Sequence, residues 1–165
     1  MLRFMWRPVR VVREGKAGQF VNMGGETMSD YGKLTDALLD ELRGIVGAER
    51  FESGDGVGEA YSHDEMPIYG KSAPDAVCRV ESTEEVSRIM KLCYEHKIPV
   101  TVRGAGTGLV GGCVPVYGGV VISTEKMNHI LEYDMKNLCV RIEPGVLTLF
   151  EVLYVISLYI ITLVP

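Results

Sequence analysis

A chain of 165 residues, 47% hydrophobic and 24% charged, has the composition of an ordinary globular protein and enough length for one domain with a real core. Its formal charge of −5 excludes a nucleic-acid surface as the default function. The four cysteines, Cys78, Cys93, Cys113 and Cys139, lie 15, 20 and 26 residues apart, which excludes a CxxC pair and any zinc signature.

The charge is uneven. Residues 1–27 hold Arg3, Arg7, Arg10, Arg13 and Lys16 against Glu14 and Glu26, a net of +3, and leave −8 on the remainder. They mix four glycines with Trp6 and Pro8 and show no sustained periodicity. The absence of a continuous apolar run argues against a secretory signal. Three readings stay open: an Arg-rich transit peptide, although the segment has no serine; a basic arm for an acidic partner; or a leader upstream of the natural start. The third is favoured, because Gly24-Gly25-Glu26-Thr27 can be encoded by a purine run of the ribosome-binding type just before Met28.

From Asp30 the pattern turns helical, with Leu34, Leu38, Leu42, Ile45 and Val46 on one stripe. Ser29 or Asp30 is the expected cap and Gly47 the expected end. Phe51–Lys71, with four glycines and Pro67, reads as loop. Within it His63 stands beside Asp64 and Glu65. A metal site is one reading, but adjacent residues rarely converge on one ion, and a solvated loop is favoured. Ala76–Val80 reads as a strand. Ser82-Thr83-Glu84-Glu85 forms a capping box that opens a helix to about His96, with Val86, Ile89, Met90 and Cys93 buried. His96 and Lys97 in the last turn suit the helix dipole, so His96 reads as a helix-end residue. Ile98–Val102 is a second strand. Strand, helix, strand within 30 residues predicts a βαβ unit with parallel strands and a right-handed crossover. Gly119–Ser123 is a third, buried strand, Met127–Asp134 a turn entering extended chain, Leu138–Glu143 a further strand, and Glu143-Pro144-Gly145 a turn. Cys78, Cys93 and Cys139 sit among apolar neighbours, which predicts buried free thiols, a reducing compartment and a cytoplasmic location.

Val146–Val164 carries one charge, Glu151. It is just long enough to span a membrane. Its uncharged part is shorter, rich in β-branched residues and without flanking Lys or Arg, so a buried helix or strand is favoured.

The chemistry concentrates between Val100 and Pro115. Gly104, Gly106, Gly108, Gly111 and Gly112 fall within nine residues, directly after a strand and Arg103. Such a loop lets successive N–H groups converge on an anion, usually a phosphate. It is not a P-loop, which needs GxxxxGK[ST]. Nor is it a Rossmann fingerprint, because counting from Gly104 the third glycine position is Leu109 and no helix follows. On spacing alone, a phosphate-binding loop and a tight strand connection stand equal. Arg103 either supplies charge to a ligand or faces solvent at a strand end.

The segment VRGAGTGLVGGCVP, Val102–Pro115, resembles the pyrophosphate loop of the FAD-linked oxidases related to vanillyl-alcohol oxidase and p-cresol methylhydroxylase. The surrounding text agrees: Pro74-Asp75-Ala76-Val77 before the helix, Met127-Asn128-His129-Ile130-Leu131-Glu132-Tyr133-Asp134 after GGVVIS, and Glu143-Pro144-Gly145-Val146. Their order is similar to the branch containing D-lactate dehydrogenase, the D component of glycolate oxidase and D-2-hydroxyglutarate dehydrogenase. The resemblance covers roughly Tyr31–Val146.

It implies an α+β fold, the N-terminal subdomain of a p-cresol-methylhydroxylase-type FAD-binding domain, with a βαβ unit and a small mixed sheet, truncated. The expected division is a leader at 1–27, a partial FAD-binding domain at 28–146 and an unmatched apolar tail at 147–165. Val102, Arg103, Gly104, Ala105, Gly106, Thr107, Gly108, Gly111 and Gly112 would wrap the FAD diphosphate, with Glu143, Pro144 and Gly145 near the cofactor. Thr107 stands where some relatives place a flavin-linked histidine, so non-covalent FAD is expected. No catalytic and no metal-binding residue is assigned. The family's second glycine-rich stretch and its substrate domain are not found in the chain, which is therefore expected to be an N-terminal fragment inactive alone. The intact enzyme would oxidise a 2-hydroxy acid of the D-lactate or glycolate type and pass electrons to a partner, such as an electron-transfer flavoprotein or an iron–sulfur protein. The alternatives are a non-catalytic flavin- or nucleotide-binding or membrane-associated fragment, and a truncated product that aggregates through its tail.

Overall fold

A computed structural model of the chain describes residues 31–134, 136–137 and 139–147. The readings of residues 1–27 and of the tail beyond Leu147 lie outside them.

The first helix, α1, runs Asp36–Val46 and buries Leu38, Leu42, Ile45 and Val46, four of the five residues of the stripe read from the sequence; Leu34 precedes the helix and is partly buried against the core. Its cap is Thr35, whose hydroxyl accepts the Leu38 N–H at 3.4 Å, and not Ser29 or Asp30. The reason is tertiary. The Gly32 N–H donates to the Lys97 carbonyl at 3.0 Å, and this tie holds the chain extended up to Thr35. Gly47 ends the helix as expected.

The segment expected to be loop contains a strand, β1 (Phe51–Ser53), paired antiparallel with β2 (Ala76–Arg79). Three residues are too few for an alternation to register against the glycines that follow. Helix α2 spans Thr83–Glu95. Half of its capping box is present, because Ser82 Oγ accepts the Glu85 N–H at 3.2 Å. The Glu85 carboxylate does not return to Ser82. It accepts the Glu81 N–H at 2.8 Å and takes two bonds from the Arg50 guanidinium, at 2.7 and 2.8 Å. The Arg50 bonds hold the Glu85 carboxyl below the usual range, so this pair's contribution to stability is lost as pH falls through that lowered value. Ser82→Ala is expected to cost about 1 kcal/mol. Urea unfolding reads this as a lower midpoint with an unchanged slope; an unmoved midpoint would mean that Glu85 alone anchors the helix start.

Helix α2 buries Ile89, Leu92 and Cys93. Met90, expected inside, is 44% exposed: it lies one residue round the helix from Ile89, off the stripe that Leu92 completes. The next strands are β3 (Val100–Arg103) and β4 (Val120–Ser123). The sheet order is β1-β2-β4-β3, with β4 parallel to both β2 and β3. The strands flanking α2 therefore run parallel, as expected, but are not neighbours. All four residues of β4 are buried, which is why GVVIS reads as a continuous apolar run. One core joins α1 and α2 to Ala76, Cys78, Val80, Val120 and Ile122. Burial pushes the Cys78 thiol up to about 12 and that of Cys93 to about 11, the behaviour of inert core thiols.

A separate antiparallel hairpin pairs β5 (Ile130–Asp134) with β6 (Cys139–Ile142). Cys139 is exposed on it, against expectation, whereas Cys113 is buried. Apolar neighbours in a two-stranded ribbon do not guarantee cover. Among the described residues no helix is long and apolar enough to cross a membrane.

Candidate cofactor-binding loop

The parallel strands end together. Arg79, Ser123 and Arg103 stand in register across β2, β4 and β3, and the glycine loop leaves β3 at this edge. Ligands in open parallel sheets sit outside the carboxyl ends of the strands. The buried polar side chains gather at the same edge: among the described residues they are Ser62, Asp64, Arg103, Ser123 and Thr124. The Thr124 N–H donates to the Arg103 carbonyl at 2.9 Å, which extends the ladder to the mouth of the loop.

The loop backbone is available to a ligand. Among the described residues, only the Gly111 N–H of the stretch Gly104–Cys113 has a protein acceptor, Asp64 Oδ2 at 2.7 Å. Gly104, Ala105, Thr107, Gly108 and Gly112 line the loop and are all exposed, whereas Gly106 is buried. Amides left unpaired at the end of a parallel sheet form the concavity that suits an anion.

Arg103 lies beneath the loop, and neither faces solvent nor reaches outward. It is 8% exposed. Its Nη1 donates to the His63 carbonyl at 2.6 Å and toward Cys113 Sγ at 3.6 Å, and the guanidinium carbon lies 5.8 Å from the centre of the Tyr61 ring. The guanidinium presses against Gly106, where a methyl group would overlap it and where φ is +78°, so the position requires glycine. Other half-buried arginines are matched by acids: Arg79 with Glu52 at 2.5 Å and Arg50 with Glu85 at 2.7 Å. Arg103 has no carboxylate in ion-pair range among the described residues. A buried cation without a counter-charge is costly, and an anion on the loop above it removes that cost.

The Glu143-Pro144-Gly145 turn comes to the same place. The Gly145 N–H donates to the Met127 carbonyl at 2.8 Å, and the Pro144 carbonyl lies beside Gly104. The structure thus joins the two sequence-distant parts of the expected site. The Glu143 carboxylate is engaged locally, accepting the His129 N–H at 2.8 Å with the ring Nδ1 also at 2.8 Å. These bonds, the backbone one foremost, hold its carboxyl below the usual range. Val102, at 58% exposure, is open on the edge strand β3.

The His63–Glu65 cluster is not a freely solvated loop, because Asp64 within it and Ser62 beside it are buried. No group of His, Cys, Asp and Glu able to hold a metal occurs among the described residues, and Asp64 is 5% exposed with both oxygens bonded. Asp64 and Tyr61 belong to the site, and sequence reasoning does not assign them to it. For Asp64 the local signal is an Asx turn, its Oδ1 accepting the Met66 N–H at 2.9 Å. Tyr61, placed between Arg103 and Glu125, offers none.

A sheet edge built in this way suits an anionic ligand, and residues 74–152 match the family model described as FAD binding domain, a match that runs past Val146. The chain is 50% identical over 117 residues to D-lactate dehydrogenase of Anaerostipes hadrus, covering 71% of this chain and 24% of that protein. It is 41% identical over 116 residues to glycolate oxidase subunit GlcD of Bacillus subtilis strain 168, covering 70% and 24%. Among solved structures, p-cresol methylhydroxylase with substrate bound superposes with a TM-score of 0.59 at 27% identity, covering 70% of this chain and 24% of that one. Alkyldihydroxyacetonephosphate synthase shares the fold, with a TM-score of 0.62 at 22% identity over 76% of this chain and 26% of that one. Residues 74–152 thus belong to the FAD-binding domain family, and some 70% of the chain is similar to D-lactate dehydrogenase and glycolate oxidase GlcD. The chain spans about a quarter of the length of these curated relatives.

Proposed function

We propose that this chain supplies the diphosphate-binding part of an FAD-dependent enzyme that oxidises a 2-hydroxy acid of the D-lactate or glycolate type. The observation that carries the reading is the loop Gly104–Gly112, whose amides other than that of Gly111 have no protein acceptor among the described residues, with the Arg103 guanidinium behind it and no carboxylate in ion-pair range among those residues. Val102, Arg103, Gly104, Ala105, Gly106, Thr107, Gly108, Gly111 and Gly112 hold the diphosphate, and Glu143, Pro144 and Gly145 close the near side. Amide donors and a fixed charge match two phosphate groups and need no reorganisation on binding.

The bound flavin supplies hydride acceptance; the residues described here bind it and set its position. The loop contains no histidine, and Thr107 stands at its exposed crest, so retention is non-covalent. None of the described residues is assigned to proton transfer, and turnover by this chain alone is not expected. Electrons leave to a protein acceptor, an electron-transfer flavoprotein or an iron–sulfur protein, in the cytoplasm.

Cofactor extraction from the purified 165-residue chain tests the reading. It is expected to take up FAD and release it intact on acid denaturation, with no D-lactate oxidation. A chain that remains colourless under FAD titration, or flavin that stays bound to the denatured polypeptide, overturns it.

A further inference from the structure

The segment His63–Glu65 is tied to the glycine loop at three points. The His63 carbonyl accepts from Arg103 Nη1 at 2.6 Å, Asp64 Oδ2 accepts the Gly111 N–H at 2.7 Å, and the Glu65 N–H donates to the Gly108 carbonyl at 3.2 Å. These ties join residues some forty or more positions apart in the sequence. Two of them cross from one connection to another and the third ends on the Arg103 side chain at the end of β3, so neither strand pairing nor helix packing requires them.

Asp64 is the unusual member. It is 5% exposed and has no Lys, Arg or His in ion-pair range among the described residues. Its two oxygens are satisfied by backbone amides alone, those of Met66 and Gly111. A buried carboxylate close to a loop that holds a diphosphate adds like-charge repulsion. Its place there is accounted for by geometry: a carboxylate accepts strongly from two separate amides at once, whereas a hydroxyl or a carboxamide offers one good acceptor oxygen. The amide it takes is that of Gly111, whose φ of +74° makes it a corner of the loop.

We propose that Asp64 is a positioning residue for the diphosphate. It pins the far corner of the loop at Gly111 while Arg103 pins the near one under Gly106, so the amides between the two pins stay turned toward the ligand. This assignment rests on the diphosphate reading above. It goes beyond it in placing a determinant of cofactor affinity in the segment His63–Glu65, outside the glycine motif.

The test uses the ¹⁵N-labelled full chain, inorganic pyrophosphate as probe, and the variants Asp64→Ala and Asp64→Asn. Amide hydrogen exchange at Gly111 reads the pin; shifts at the amides of Gly104–Val110 on titration read the ligand. In Asp64→Ala, Gly111 is expected to exchange about tenfold faster and pyrophosphate affinity to fall about tenfold, the loss of one charge-assisted bond. Asp64→Asn keeps one acceptor oxygen and falls between; it alone decides the matter if the alanine variant does not fold. Titrations run well below the unfolding temperature, where a residue that only stabilises the fold leaves affinity unchanged. Variants that bind pyrophosphate within twofold of wild type, or that leave Gly111 exchange unmoved, overturn the role of Asp64 and leave the diphosphate reading intact. A wild-type chain whose loop amides respond to neither pyrophosphate nor FAD overturns the diphosphate reading and this assignment with it.

Discussion

Gly119→Ala lowers the stability of the protein by about 3 kcal/mol, the largest single-residue effect expected outside the loop. Gly119 precedes β4 with φ at +72°. Left-handed backbone costs a residue bearing a Cβ about 1 kcal/mol or more. A methyl group there also overlaps the Pro99 carbonyl oxygen, and backbone does not yield as a side-chain end does. That oxygen accepts the Val120 N–H at 2.9 Å, at the start of the β3–β4 ladder. The Gly119 carbonyl accepts the N–H groups of Asp75 and Ala76 at 2.9 and 3.2 Å, at the start of the β2–β4 ladder. One added methyl therefore disturbs both parallel ladders at their common origin. Urea denaturation followed by circular dichroism measures the loss; a shift below about 1 kcal/mol would show that Pro99 moves aside freely.

Arg103→Met is expected to separate binding from folding. Methionine fills the same space with a flexible, apolar chain. It removes the two hydrogen bonds to His63 and Cys113, and it also removes the desolvation cost of a buried unpaired charge. These effects oppose each other, so the unfolding free energy changes by less than about 1 kcal/mol. FAD loses the charge behind the loop, and its affinity falls about 100-fold, the weight of a charge-assisted interaction at a sheltered site. Calorimetric titration with FAD, paired with urea unfolding, gives both numbers on one preparation. Unchanged FAD affinity would remove Arg103 from the binding machinery; a large loss of stability would make it a structural residue.

Local signals carry the elements that place the loop. Ser82 caps α2 and Gly47 ends α1, and both act within one helical turn. The stripe Leu38, Leu42, Ile45 and Val46 follows one period, and the continuous apolar run of β4 reflects burial on both faces. The crowding of five glycines after a strand marks the site without reference to any fold. What stays hidden depends on partners far along the chain. Arg103 sits at a strand end, where a charge is ordinarily solvated; its burial is decided by His63 and Tyr61, some forty residues earlier. Asp64 reads as one acid in a polar cluster, because its acceptor role needs Gly111. The start of α1 is set by the tie from Gly32 to Lys97, and β1 exists because β2 offers it an edge. Cys139 shows the converse error: apolar neighbours in sequence promise a cover that a lone hairpin does not provide.

The strand order also governs the way the domain assembles. Strands β2 and β3 emerge from the ribosome with α2 between them, yet neither has a parallel neighbour until β4 has been made. The glycine loop is the link that must be crossed first, so the closing of the sheet and the shaping of the loop are a single event. Non-local parallel pairing of this kind is slow, because the entropy of closing the connection is spent before the contacts return it. A nascent chain halted between Arg103 and Val120 therefore holds β2 and β3 without their centre, and the same residues proposed to hold the diphosphate decide whether those strands ever meet.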